Sequence, residues 1–295
     1  MKHQKKVLAI NDISCIGKCS LTVALPVISA AGAEVDVIPT AVLSTQTGGF
    51  QGYTFRDLTE DIPAIGRHWK TLPLCFDAIY TGYLGSFRQL AIVSDLIEKF
   101  RDRHTLVCVD PVMGDAGKLY DSFQPNFPEG MARLCAKADL ILPNPTEAAL
   151  LLGKKYRPGP YSRAETADTL RQLSALGPKQ AVLTGFWEEP GQIGCAVYHA
   201  GTDSVRYVLN KRVEGFYHGT GDVLASALVG ALMNGIPLAR AAQIAVNFTA
   251  GSVRRTHDAG TDPRLGVNFE AGLPGYIKAL RLCEAEVPAG KEKLT

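Results

Sequence analysis

The stretch GFYHGTGDVLASALVGALMNG, residues 215–235, sets an ionisable side chain, Asp222, where a glycine-rich turn gives way to an apolar segment. From Asp222 onward, Val223, Leu224, Ala227, Leu228, Ala231 and Leu232 recur at helical spacing, which predicts a helix beginning at or beside the aspartate with one apolar face. The first amides of such a helix lack intrahelical partners and carry the positive end of its dipole. Gly219, Thr220 and Gly221 therefore offer an anion hole of the kind that holds a phosphate. The two glycines let the backbone approach the anion and take angles closed to other residues. Asp222 has a plainer reading as an N-cap. A cap alone needs neither glycine, however, and a carboxylate beside an anion hole can accept a proton from an attacking hydroxyl while the amides stabilise the group attacked. That pairing points to phosphoryl transfer.

Working outward, β-branched runs alternate with helical patterns along the chain. KVLAI, VDVIPTAV, DAIYTG, TLVCVD, DLILP and AVLT read as strands, and SLTVALPVISAAG, FRQLAIVSDLIEKFRD, PEGMARLCAKA and SRAETADTLRQLSALG read as helices between them. This is the pattern of βαβ units around a mainly parallel sheet. IGCAVYHA and SVRYVLN, joined by GTD, read as a hairpin at one end of that sheet, and only helices follow. No internal repeat or low-complexity linker interrupts the 295 residues, so one domain over 1–295 is expected, with a frayed tail from about 287. The irregular STQTGGFQGYTFRDLTEDI, residues 44–62, is long for a βα connection and reads as a substrate lid or docking surface.

Composition narrows the partners. A net charge of +2 from 31 basic and 29 acidic residues, with no basic block beyond MKHQKK, gives no support to nucleic-acid binding. Seven scattered cysteines, mostly in apolar surroundings, fit a reducing compartment, and no apolar run approaches a membrane span. A cytoplasmic protein is expected.

Familiar nucleotide motifs fail. IGKCS has Asp12 where a P-loop needs glycine and Cys19 where it needs Ser or Thr, and GTGDVL has Leu224 in place of the third dinucleotide-binding glycine. Acidic equipment for a nucleotide–magnesium complex nevertheless lies at successive strand ends. Asp110 closes TLVCVD, Asp115 follows in a glycine-containing loop, and Asn144 and Glu147 lie just past LILP around a helix start. Singly, Asp115 reads as a turn residue and Glu147 as a first-turn carboxylate facing the helix dipole. Together, and with Asp222, they suit magnesium, which takes one or two carboxylates plus phosphates and waters.

VDPVMGD, LPNPTEAALLLG and GTGD, joined in order by LAIND, LSTQTGG and YTGYLGS, resemble the ribokinase-like superfamily, and within it the pyridoxal kinases, from about residue 6 to about 255. The resemblance implies an α/β fold with a central, mostly parallel sheet flanked by helices on both faces, a homodimer, and phosphorylation of the 5′-hydroxymethyl of pyridoxal, pyridoxamine or pyridoxine by ATP. By motif it makes Asp222 the catalytic base and Gly219, Thr220 and Gly221 the anion hole. Asp110, Asp115 and Glu147 would handle magnesium, partly through water, with Asn144, Glu147 and Thr184 at the nucleotide. Thr47 and Tyr83 would lie by the pyridine ring. A monovalent cation is a further cofactor that the resemblance leaves open.

Two departures bear on substrate. Where these kinases commonly have QSH, this chain has NDIS, with Asp12 in the serine's place; ionised, it would favour a protonated ring nitrogen or an amine. Thr45 and Gln46 replace the Asn and His of the frequent SNHTG. Hydroxymethylpyrimidine kinases share the superfamily but usually read GTGC, so Asp222 favours the pyridoxal branch. A non-catalytic binder of a phosphorylated ligand would need the glycine turn but not the four acids.

Overall fold

The computed structural model of the chain describes residues 4–286, so the tail expected to fray lies outside the described residues. Eleven strands run in chain order: β1 (Lys6–Ser14), β2 (Glu34–Leu43), β3 (Phe55–Asp57), β4 (Ala78–Thr81), β5 (Leu106–Val109), β6 (Gly114–Asp115), β7 (Lys118–Leu119), β8 (Leu140–Ile141), β9 (Gln180–Phe186), β10 (Gln192–His199) and β11 (Ser204–Lys211). The helices are α1 (Leu21–Ala30), α2 (Ile62–Trp69), α3 (Phe87–Phe100), α4 (Phe127–Cys135), α5 (Pro145–Leu151), α6 (Arg163–Ala175), α7 (Thr220–Met233), α8 (Leu238–Asp258) and α9 (Leu273–Glu286).

Nine strands form the main sheet in the order β11-β10-β9-β8-β5-β4-β1-β2-β3, and β6 and β7 form a separate hairpin. The centre from β2 to β9 is parallel, while β3, β10 and β11 add antiparallel margins. Parallel strands need covered faces, and this sheet is covered on both. Val7, Ala9, Ala78, Tyr80 and Cys108 point to one face, where α1, α7, α8 and α9 contribute Val27, Leu228, Ala245 and Tyr276. Leu8, Ile10, Ile79, Val107 and Val109 point to the other, against Ile62, Val93, Met131 and Leu170 of α2, α3, α4 and α6. Burial on both faces is why KVLAI has no polar alternation, and each such Leu, Ile or Val contributes roughly 1.5–3 kcal/mol of transfer free energy.

The alternating pattern read from the sequence is this sheet, and the hairpin of β10 and β11 lies at its edge. Three local expectations change. β1 runs on to Ser14, because Ile13 and Ser14 pair with Val42 and Leu43 after a register shift at Asp12. The 44–62 segment is not wholly irregular, since Phe55–Asp57 turns back to pair with Ala41–Leu43. Helix α7 is buried on all sides along Val223–Ala231, not on one face, because α1 and α8 pack beside it over the sheet and its small Ala, Ser and Gly side chains allow that approach.

Candidate active site

The parallel strands share one carboxyl-terminal rim, the place where open α/β sheets bind ligands. Asp12 lies near the end of β1, Tyr83 just past β4, Asp110 just past β5, Asn144 just past β8, and Thr184 near the end of β9. The start of α7 meets the same rim. Gly219, its N-cap, has φ +73°, and a side chain there would collide with the Lys18 carbonyl oxygen, so only glycine seats the turn against the loop after β1. Gly221 differs from expectation. It lies in the first helical turn without a left-handed angle, and nothing stands within 4 Å of where its Cβ would be, so its role is to leave the helix start open.

Asp222 is the third residue of α7 and makes no capping bond, which removes the plain N-cap reading. The residue is half-buried and keeps partial solvent contact. Burial pushes its carboxyl up to about 6, and the charge of Asp12 pushes the same way, while the Ser20 amide and the Asn11 side chain favour the ionised form. Asn11 is itself held, its Oδ1 accepting from the amides of Asp12 (3.0 Å) and Tyr83 (2.7 Å). A side chain at Gly82 would strike the Asn11 amide nitrogen, so the glycine of TGYLG keeps that amide in place.

Asp12 is buried and accepts from the hydroxyls of Ser20 (2.5 Å) and Ser14 (3.1 Å). Burial raises its pKa, and the two hydroxyls oppose the rise. Tyr83 is half-buried with its ring 5.6 Å from that of Phe123; burial raises its pKa, and the Asp12 charge adds to the rise. Thr47 is exposed on a loop that is pinned to the rim: Gln46 Nε2 donates to the carbonyl of Arg264 at 2.9 Å, and Gly48 packs against the His218 ring.

A second acid pair stands further along the rim. Asp110 and Glu147 are both buried, and burial together with the Glu147 charge holds Asp110 well above the usual carboxylate range. Glu147 is pushed up to about 8, mainly by burial, although its oxygens accept from the amides of Met113 (3.2 Å) and Asn144 (2.8 Å). Those bonds, with Asn144 Oδ1 accepting from Thr146 and Glu147, make a capping box on α5. Asn144 is thereby committed: its amide also donates to the Gly114 carbonyl, so it ties α5 to the β6–β7 hairpin. Asp115 sits half-buried in that hairpin and accepts from the Ala116 amide at 2.8 Å. Thr184 donates to the Pro143 carbonyl through its amide (2.9 Å) and weakly through its hydroxyl (3.4 Å), which joins β9 to the loop after β8.

Among the described residues no three His, Cys, Asp or Glu side chains converge closely enough to hold a metal unaided. Two buried acids, the charge of Glu147 raising the pKa of Asp110, are still a fitting donor set for a divalent cation that takes its remaining ligands from phosphate and water. Among the described residues no helix is long and apolar enough to cross a membrane.

Reading the sequence alone missed Ser20, Asn11 and His218 as parts of the rim. The signals were present but weak. Ser20 stood in IGKCS, tested only as a P-loop, and His218 directly precedes GTGD. Cys19 belongs here too, since Asp222 and Asp12 both press its thiol upward after burial does.

Residues 37–265 match the family model described as phosphomethylpyrimidine kinase. The chain is 30% identical to the pyridoxine/pyridoxal/pyridoxamine kinase of Bordetella avium, over 82% of each chain. A crystal structure of a candidate phosphomethylpyrimidine kinase from Bacteroides thetaiotaomicron, in a form with pyridoxal, superposes with a TM-score of 0.89 at 39% identity, covering 93% of this chain and 96% of that one. The pyridoxal kinase of Lactobacillus plantarum gives a TM-score of 0.85 at 35% identity, covering 94% and 98%. The fold, the rim of acids and these likenesses agree: the chain belongs to the phosphomethylpyrimidine and pyridoxal kinase family of small-molecule kinases, with the ribokinase-like fold.

Proposed function

We propose that this chain transfers the terminal phosphoryl group of ATP to the 5′-hydroxymethyl of a B6 vitamer. The observation that carries the reading is Asp222, a carboxylate with pKa near 6 placed in the first turn of a helix whose N-cap is the left-handed Gly219. At neutral pH it is ionised and can accept the proton of the attacking hydroxyl. The amides of Gly219, Thr220 and Gly221 stabilise the charge that develops on the transferring group. Asp110, Asp115 and Glu147 would hold the magnesium that accompanies ATP, partly through water, with the oxygens of Glu147 already accepting two amides. Bound there, the cation neutralises phosphate charge. Asn144 and Thr184 shape the nucleotide side by fixing the loops after β8 and β5. Asp12, Thr47 and Tyr83 line the vitamer side, where Asp12 favours a protonated ring nitrogen or an amine. The relatives' names support the vitamer over the pyrimidine, as does Asp222 where the pyrimidine kinases usually carry cysteine. A cytoplasmic homodimer is part of the same proposal.

The test is magnesium-dependent conversion of ATP to ADP with pyridoxal, pyridoxamine, pyridoxine and hydroxymethylpyrimidine. Turnover with a vitamer is expected. Turnover with hydroxymethylpyrimidine alone would transfer the chain to thiamin synthesis, and none with any of the four would leave a binder or a kinase of another small alcohol.

A further inference from the structure

Ser20 is a non-glycine residue with φ 54° and ψ −133°, a conformation that costs of order 1–3 kcal/mol for a residue with a side chain. It immediately precedes α1, where a serine would ordinarily cap the helix through its hydroxyl. Here the hydroxyl makes no capping bond. It donates instead to Asp12 Oδ1 at 2.5 Å, and the residue is buried. Its backbone amide hydrogen-bonds the Asp222 carboxylate and so favours the ionised form. Its carbonyl accepts from Val23 and Ala24 and so ties the residue to α1. Glycine would satisfy the backbone angle without strain; what serine adds is the hydroxyl on Asp12.

We propose, resting on the kinase reading above, that Ser20 is a positioning residue: its strained backbone aims its hydroxyl at Asp12 and its amide at Asp222, so that one residue fixes the vitamer-side carboxylate relative to the catalytic one. Asp12 and Asp222 arrive from opposite ends of the chain, and Ser20 is where their placement is set together. Ser14 supplies a second, longer hydroxyl to Asp12, so loss of the Ser20 hydroxyl leaves that carboxylate held on one oxygen only.

The experiment compares wild type, Ser20→Gly, Asp12→Asn and the double variant in melting temperature and in steady-state kinetics with pyridoxal and pyridoxamine. Ser20→Gly relieves the backbone strain and keeps the amide, so its melting temperature is expected to equal or exceed that of wild type. Its kcat/KM for vitamer is expected to fall about tenfold to a hundredfold, the equivalent of one charge-assisted hydrogen bond, with more of the loss in the vitamer KM than in the KM for ATP. A purely structural serine would let activity follow stability. Because Ser20 acts through Asp12, adding Asp12→Asn to Ser20→Gly should cost much less than Asp12→Asn costs wild type. Wild-type kcat/KM in Ser20→Gly, or single losses that simply multiply in the double variant, would overturn the positioning role while leaving the kinase reading intact. Wild type without turnover of any vitamer would overturn the kinase reading and this proposal with it.

Discussion

Two pairs of carboxylates share one rim of the sheet and differ in almost everything but residue type. Asp12 and Asp222 are served by donors that can let go, two hydroxyls on one and an amide and a side-chain amide near the other, and Asp222 keeps partial contact with solvent. Asp110 and Glu147 are both buried, the charge of Glu147 raises the pKa of Asp110, and the oxygens of Glu147 are spent on backbone amides. In the first pair Asp222, raised to about 6, suits a proton that comes and goes, and the charge of Asp12 helps to raise it. The second suits a cation, whose charge would offset that of two acids buried with few donors. Environment assigns the roles, as it does wherever two acids of one site must do different work.

Removing the catalytic charge should separate the pairs most sharply. Asp222→Asn keeps the shape and loses the base, so kcat is expected to fall roughly a hundredfold to ten-thousandfold in a coupled ADP assay. Near-normal turnover would end the distinction, because the two pairs would then be equally dispensable to proton transfer.

Next in size is the proposed magnesium requirement. Asp110→Asn should raise the magnesium concentration for half-maximal rate by about tenfold to a hundredfold, the range seen when a metal site loses a supporting group. Asp12→Asn should leave that concentration where it was, and a shift of equal size in both variants would erase the boundary between the pairs.

If Asp222 is the base as proposed, proton release from it sets the pH profile. A base must be unprotonated, so kcat/KM should climb with pH through about 6 and level off above it. Asp12→Asn removes a neighbouring negative charge and should move that limb to lower pH; no movement would mean that the two carboxylates are not felt by each other.

The smallest expected effect is on stability. Glu147 is raised from 4.5 to about 8, so between those values the native state holds a proton that the unfolded chain has lost. Its favourable contribution is complete below 4.5 and disappears as pH rises through 8. Melting temperature should therefore decline between pH 6.5 and pH 8.5, by roughly 2–4 °C for each kcal/mol lost, as followed by circular dichroism. Glu147→Gln should flatten that decline. An unchanged slope would place the proton elsewhere in the second pair.

Much of this architecture can be read from local order. Strands buried on both faces must be apolar throughout, helices that cover them must repeat at helical spacing, and a glycine needed at a left-handed turn has few substitutes; KVLAI, TLVCVD and GTGD carry that information in a few consecutive residues. The roles of the four acids are another matter. In the sequence Asp222 could be a cap, Glu147 a dipole partner and Ser20 a remnant of a failed P-loop motif. What distinguishes them is burial and company: Ser20 bonding Asp12, Asp12 pressing on Asp222, and Met113 reaching Glu147. Side-chain pKa values depend on desolvation and on charges a few ångströms away, and neither exists until β1, β5, α5 and α7 have been brought to one rim. The chain alone determined which residues could do chemistry. Tertiary structure decided which proton each would hold, because only folding removes the water and supplies the neighbours.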